Sequence, residues 1–332
     1  MTVEAHPPVA PRTGRPGAQL RISVVICAFT LDRWDELRAS VASVLDQTHP
    51  PHEVLVAVDP DAALLERARA ELAGPGVQVV ESEGAPGLSG ARNTGVRRAG
   101  GEVVAFVDDD ARADRRWLET LARVHADPDV LGTGGMVEPV WPGPPPSWLP
   151  PELYWVVGCS YRGLPTTVAP VRAPIGANMS FAREAVERAG GFAEDLGRLR
   201  DVPGSCEDTE LSLRVQRTFP GRPVLFVPGA RVEHVVAPAR TSWRYLRWRC
   251  WTEGRAKAEL TRAAGPGPGL SDERRYVARV LPRAFARGLV DALRGDRGGL
   301  ARSAAIVAAL TLTAAGYLYG LATRAPRRED WA

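Results

Sequence analysis

The sequence predicts an α/β protein built on a mostly parallel sheet. Short β-branched runs alternate with helical patterns over about residues 20–130, as strand–helix–strand units require. The runs are apolar throughout instead of alternating with polar residues, which is what burial on both faces of a sheet demands. The fourth run, residues 103–107, ends abruptly in Asp108, Asp109 and Asp110, and open α/β sheets take ligands at the carboxyl ends of their strands.

In chain order, residues 22–28 read as a first strand. Leu37, Val41, Val44 and Leu45 then fall on one helical face. Residues 54–58 form a second strand ending at Asp59, residues 62–72 a helix and residues 77–80 a third strand. Residues 84–90 are a glycine-rich loop, and residues 91–99 a helix ahead of the strand with the aspartates. After Met136 the pattern changes. The proline-rich stretch 139–151, with Trp141 and Trp148, reads as a loop, and irregular sequence continues to about Arg172. Residues 185–190 are a short helix, residues 207–218 a longer one, with Leu211, Val215 and Thr218 at helical spacing, and residues 224–227 a further strand.

The composition narrows the function. A net charge of +3 on 332 residues does not suggest nucleic-acid binding. Four separated cysteines, none in a C-x-x-C pair, argue against structural zinc or a disulfide framework and fit a reducing compartment. Residues 1–19 lack the apolar core of a signal peptide and read as a disordered leader. Three adjacent carboxylates at a strand end repel one another unless a cation or ligand sits among them. Oxygen donors of this kind suit Mg²⁺ or Mn²⁺, which commonly bridge a diphosphate. The alternative is a solvated acidic turn.

Several motifs in order resemble glycosyltransferase family 2 with the GT-A fold. They are the first strand with Ala28, Phe29 and Arg33, then Asp59, the run Gly90 to Asn93, the aspartate cluster, Gly176 to Asn178, the acidic pair Glu207-Asp208 followed by Glu210, Leu211 and Arg214, and His234. The resemblance spans roughly residues 21–240. It implies a nucleotide half at 20–135, an acceptor half at 136–240 and a helical, membrane-associated region at 241–332. The strings 157–163, 176–180 and 249–254 resemble transferases that extend glycans on dolichyl or other polyprenyl phosphates.

The resemblance implies an inverting, metal-dependent transfer from a nucleotide sugar, with a UDP-sugar the expected donor, to a polyprenyl-phosphate-linked or cell-envelope glycan. Asp108 would lie near the ribose and the metal, Asp110 would be a metal ligand, and Asp109 would support them or point into the sheet. Ala28, Phe29, Arg33 and Asp59 would wall the nucleoside pocket. Arg92 and Asn93 open a helix after a glycine-rich loop, where backbone can approach a ligand. His234 would reach the metal or the diphosphate, or else be structural. Asp208 is the expected general base, with Glu207 the second choice; a base acting directly implies inversion at the anomeric carbon. Asn178 and Met179 fall at acceptor positions, flanked by the aromatic residues Trp141, Trp148, Trp155 and Tyr161. A soluble small-molecule acceptor and a non-catalytic nucleotide-sugar-binding protein are the alternatives.

The last third is basic. Residues 242–262 interleave Trp243, Tyr245, Trp248 and Trp251 with arginines and Lys257, a pattern suited to a membrane interface or a lipid phosphate. Leu281, Phe285, Leu289 and Leu293 oppose Arg279, Arg283 and Arg287 in a basic amphipathic helix, with Pro282 in its first turn. Residues 303–323 carry no charge but have Arg297 and Arg302 before them and Arg324, Arg327 and Arg328 after. The expectation is an in-plane or re-entrant helix in preference to a span, so that residues 276–323 hold the enzyme to the cytoplasmic face of the cell membrane; a helix packed on the enzyme is the alternative.

Overall fold

The computed structural model describes residues 19–194, 206–264 and 276–323. All but the last residue of the expected leader, and Arg324, Arg327 and Arg328, lie outside them.

The first half alternates strands and helices as expected: β1 (Ile22–Ala28), α1 (Trp34–Leu45), β2 (Glu53–Val58), α2 (Ala62–Glu71), β3 (Val77–Glu81), α3 (Leu88–Arg98) and β4 (Val103–Asp108). These four strands are parallel, in the order β3-β2-β1-β4. In β1, β2 and β4 nearly every residue is buried because helices cover both faces. Leu37, Val41 and Val44 anchor α1 in the core, whereas Leu45, expected on the same face, is 47% exposed at the helix end. Helix α3 starts three residues before the expected position. Gly87, at φ 116°, turns the chain, and Ser89 and Gly90 join the helix because both are buried. A Cβ on Gly90 would lie 2.1 Å from the Ala85 carbonyl oxygen, so only glycine fits there.

Past the aspartates come β5 (Ala111–Ala113), α4 (Trp117–His125), β6 (Gly132–Val140), β7 (Ala169–Pro170), β8 (Asn178–Ala182), α5 (Arg183–Arg188), α6 (Glu207–Thr218) and β9 (Val224–Val235). The described strands join one nine-stranded sheet, continuing from β4 as β8-β6-β9-β5 with β7 paired to β9. Strand β8 runs antiparallel to both β4 and β6, and β5 antiparallel to β9. The sheet is therefore parallel through the first half and mixed beyond it. Elements β5, α4, β6, β7 and β8 escaped the sequence reading. Glycines and Pro139 interrupt β6, and its pairing with β9 shifts register between Gly135 and Met136.

Three helices close the chain: α7 (Trp243–Ala264), α8 (Leu281–Leu293) and α9 (Gly299–Ala322). A five-residue π turn, Tyr276–Val280, leads into α8. Helix α9 packs one side against α7 at glycines. A Cβ on Gly254 would stand 2.1 Å from the Thr313 carbonyl oxygen, and one on Gly316 2.3 Å from that of Trp251. Arg287, from the expected basic face of this helix, pairs with Glu152, which is 1% exposed. Helix α9 leaves Leu300, Val307, Leu310, Leu318, Tyr319 and Leu321 exposed, and α8 leaves Leu289 and Leu293 exposed. Among the described residues, α9 is the one helix long and apolar enough to cross a membrane. Gly254→Val is expected to lower stability by about 1–3 kcal/mol through overpacking and to open α9 to protease; an unchanged denaturation midpoint would show that α7 and α9 do not meet there.

Candidate active site

The end of β4 organises the site. Arg33, at the end of the short helix Leu31–Arg33, bridges two carboxylates at 3.0 Å each, Asp109 Oδ1 and Asp110 Oδ2. Its guanidinium also lies 5.2 Å from the Phe29 ring centroid. A small pocket of about 60 Å³ opens beside it, lined by Ala28, Phe29, Arg33, Asp59, Asp108 and Asp109. Asp59 Oδ1 accepts a 2.8 Å hydrogen bond from the Gly87 N–H, which ties the glycine-rich turn to β2. Asp109 Oδ2 is buried without a hydrogen-bond partner among the described residues. Burial and the neighbouring Asp110 push the Asp109 carboxyl up to about 7, against the pull of Arg33.

Strand β5 follows the aspartates directly and places Ala111 opposite His234 of β9. That register sets His234 Nε2 3.3 Å from Asp110 Oδ1. Ligand atoms of Asp108, Asp110 and His234 then lie within 4.8 Å of one another. Two carboxylates and an imidazole suit Mn²⁺, and Mg²⁺ less well because it prefers oxygen. Burial disfavours charge on both partners. Even so, the His234 hydrogen bond, Arg33 and Arg240 hold Asp110 well below the carboxylate range, and contacts with Asp110 and Cys159 hold His234 up at about 10. His234 accepts a metal only after losing that proton, because a ligand nitrogen needs its lone pair.

The acidic pair lies across a cleft of about 410 Å³ that also contains Asp108, Asp110 and His234. Cys206 enters α6 at φ 77°, the one non-glycine residue at positive φ among those described. It turns the chain so that Glu207 and Asp208 begin the helix. Arg92, 2% exposed, lies 3.0 Å from Glu207 Oε1 and 3.5 Å from Asp108 Oδ1, and donates to the Gly176 carbonyl at 3.3 Å. One buried guanidinium thus links the two acid clusters. Asp208 is half-buried and accepts from the N–H groups of Gly176 at 3.0 Å and Thr209 at 2.6 Å. The Thr209 hydroxyl donates to Asp208 Oδ1 as well, at 3.3 Å, and the three donors leave one of a carboxylate's four acceptor positions for an incoming hydroxyl. Burial raises both acids above the usual range; Arg92 opposes this in each case.

Residues 23–190 match the family described as glycosyl transferase family 2. The chain belongs to that family. It is 30% identical over 311 residues to a glucosyl-dolichyl phosphate glucuronosyltransferase of Haloferax volcanii, covering 92% of this chain and 97% of the relative. A shorter match, 30% over 89 residues and 27% of this chain against 34% of the relative, is to the UDP-Glc:α-D-GlcNAc-diphosphoundecaprenol β-1,3-glucosyltransferase WfgD of Escherichia coli. Among solved structures, the fold is similar to the mannosyltransferase PcManGT of Pyrobaculum calidifontis in complex with GDP-Man and Mn²⁺. The TM-score is 0.54 at 20% identity, over 91% of this chain and 89% of that one. The fold is GT-A, and the protein is a glycosyltransferase.

In this glycosyltransferase three of the sequence-derived positions are not at the cleft surface. Asn178 is fully buried: its amide nitrogen donates to the Met136 and Ala230 carbonyls, and its oxygen accepts from the Trp117 indole. Met179 is 1% exposed in the core cluster against Phe106 and Phe181. Both lie in β8 between β4 and β6, and their neighbours Gly176 and Ala177 line the cleft in their place. Asn93 bonds to both backbone groups of Phe192 and to Glu194, so its amide fixes the loop after α5. Trp155, by contrast, lines the cleft, and its indole donates to the Tyr276 hydroxyl at 3.2 Å. Trp141 and Trp148 pack as anchors, on Tyr154 and Trp243.

The sequence reading missed Arg240, 4.0 Å from Asp110, and Cys159, whose sulfur lies 3.7 Å from His234 Nδ1. It also set α7 apart from the catalytic part, whereas Tyr245, Trp248, Arg249, Glu253 and Lys257 line the cleft, as do Leu281 of α8 and Leu310 of α9. The i, i+4 spacing of 245, 249, 253 and 257 was the available signal.

Proposed function

We propose that this glycosyltransferase moves a sugar from a UDP-sugar, with inversion, to a hydroxyl of a polyprenyl-phosphate-linked glycan at the cytoplasmic face of the membrane. One observation carries the reading: a single cleft has the aspartate–histidine cluster and the acidic pair on its walls, and an aromatic, basic and apolar lining drawn from α7, α8 and α9. The names of the two curated relatives support a lipid-linked acceptor. The name of the Escherichia coli relative includes UDP-Glc, which supports a UDP-sugar donor.

In this reading the pocket formed by Ala28, Phe29 and Asp59 holds the nucleoside. Asp108, Asp110 and His234 would hold Mn²⁺ or Mg²⁺, which when bound supplies positive charge against the leaving diphosphate. Arg33 and Arg240 add fixed positive charge beside it. Asp208 receives the proton of the attacking hydroxyl. Arg92 neutralises Glu207, which leaves Asp208 as the base of the pair. The nucleotide half at 20–135 and the acceptor half at 136–240 keep their proposed roles, with α7–α9 added to the acceptor side.

The test is transfer by the full chain from UDP-sugars to a short-chain glucosyl-phosphoryl polyprenol in the presence of Mn²⁺. Product with inverted configuration by NMR, lost on adding EDTA, is the expected result; product undiminished by EDTA would refute the metal, and retained configuration the base mechanism. For the membrane, Glu at Leu300, Leu318 and Leu321 is expected to abolish cosedimentation with anionic vesicles, since charge on an embedded apolar face opposes insertion. Unchanged cosedimentation would show that α9 does not face lipid.

A further inference from the structure

One wall of the cleft has no task in the donor chemistry. Arg249, Glu253 and Lys257 lie four residues apart on α7, share one helix face and all line the cleft. Arg249 Nη1 lies 2.6 Å and Lys257 Nζ 3.0 Å from the Glu253 carboxylate, and the three side chains are only 22, 15 and 11% exposed in the order Arg249, Lys257, Glu253. Together they carry one net positive charge. Salt bridges to a shared carboxylate restrict both cations, so little side-chain entropy remains to be lost when an anion arrives. Glu253 is within electrostatic reach of Asp208, whose carboxyl it helps to raise after burial, the largest cause. The stripe is therefore near the base without being part of it.

Its surroundings suit a lipid. Val277, Leu281, Ala309 and Leu310 line the same cleft. Trp248, Val277 and Leu310 are also 38, 38 and 41% exposed. The apolar lining is thus continuous with the outer surface, where α9 exposes Leu300, Leu318 and Leu321.

We propose that Arg249 and Lys257 hold the phosphate of the lipid-linked acceptor, that Glu253 positions both cations, and that the isoprenoid leaves the cleft over Val277, Leu281 and Leu310. This rests on the lipid-linked acceptor proposed above. In a monosaccharide acceptor one sugar ring separates the phosphate from the attacking hydroxyl, which matches a phosphate seat near Asp208 but not at it. The cations beside the aspartate cluster, Arg33 and Arg240, remain for the donor.

The test compares three acceptors: a short-chain glucosyl-phosphoryl polyprenol, the matching alkyl glucoside without phosphate, and glucose 1-phosphate. The wild-type chain is expected to favour the first over the second by about 100-fold in kcat/KM, because each charge-assisted contact contributes about tenfold or more. The variant R249Q/E253Q/K257Q removes the three charges of the stripe together. Its preference is expected to collapse to below about 10-fold, with its melting temperature and its affinity for UDP with Mn²⁺ unchanged, and R249K is expected to restore part of the preference. A preference intact in the triple variant overturns the proposal while leaving the lipid-linked function standing. Weakened UDP binding instead assigns the cations to the donor and overturns it as well. Glucose 1-phosphate used as well as the lipid form removes the isoprenoid path. No transfer by the wild-type chain to any phosphate-bearing acceptor defeats the acceptor reading itself.

Discussion

Asp208→Asn is expected to lower kcat by about 10²–10⁴-fold, the usual contribution of a positioned general base, while UDP with Mn²⁺ still raises the melting temperature. Gly176 and Thr209 donate to different oxygens, Oδ2 and Oδ1, so asparagine preserves the shape and keeps one of these two N–H bonds while losing the proton acceptor. The pocket beside Ala28, Phe29 and Asp59 is built by other elements, so donor binding should survive. The pH profile supplies a second reading of the same group. Burial holds the Asp208 carboxyl above its ordinary 3.8, although Arg92 and the Thr209 N–H oppose this. The base works only when deprotonated, so kcat should fall as pH drops through that raised value, earlier than for a solvent-exposed aspartate. A kcat flat down to pH 4, or near-normal turnover in the asparagine variant, would remove Asp208 from the role and leave Glu207 as the candidate.

Arg92→Met is expected to lower stability by about 3–5 kcal/mol near neutral pH, because breaking a buried pair leaves a charge without compensation. Glu207 is 7% exposed and has Arg92 Nη1 at 3.0 Å. Burial and Asp208 already raise the Glu207 carboxyl, and losing Arg92 raises it further. A carboxyl with a folded pKa above its unfolded value favours the folded state at low pH and loses that advantage as pH rises from about the ordinary 4.5 through the folded value. The methionine variant should therefore be closest to wild type near pH 5 and furthest from it near pH 8 in urea denaturation. Adding Glu207→Gln should recover much of the loss, since the buried charge is gone. A loss that is small and independent of pH would show that Arg92 does not hold the two acid clusters together.

These two variants mark where sequence reading stopped. The strand–helix alternation, the aspartates at the tip of β4 and the start of α6 at Glu207 were legible because each is local. An apolar run, a period of 3.6 residues and an acidic helix start all appear within a dozen residues. The grouping of Ala28, Phe29, Arg33, Asp59, Asp108 and Asp109 around one small pocket was legible too, because parallel strands align their carboxyl ends. Asn93, Asn178 and Met179, expected at the site, have inward-turned side chains. In a strand, successive side chains face opposite sides, and both faces of β8 are covered: Asn178 meets the Trp117 indole of α4, and Met179 shares a core cluster with Leu211 and Val215 of α6.

By itself the sequence determined the fold class, the acidic tip of the fourth strand and the acidic pair that opens α6. Tertiary structure alone decided which charges meet: His234 with Asp110 through the register of β5 on β9, Arg92 between Asp108 and Glu207, and Arg249 and Lys257 on the cleft wall. It also folded the C-terminal helices back so that the polar stripe of α7 and apolar residues of α8 and α9 line the cleft, while other apolar residues of α8 and α9 remain exposed. The physical reason is range. Backbone preference and hydrophobic period act over neighbouring residues, whereas the partner of a buried charge is set by which distant segments the packed core brings within hydrogen-bonding distance.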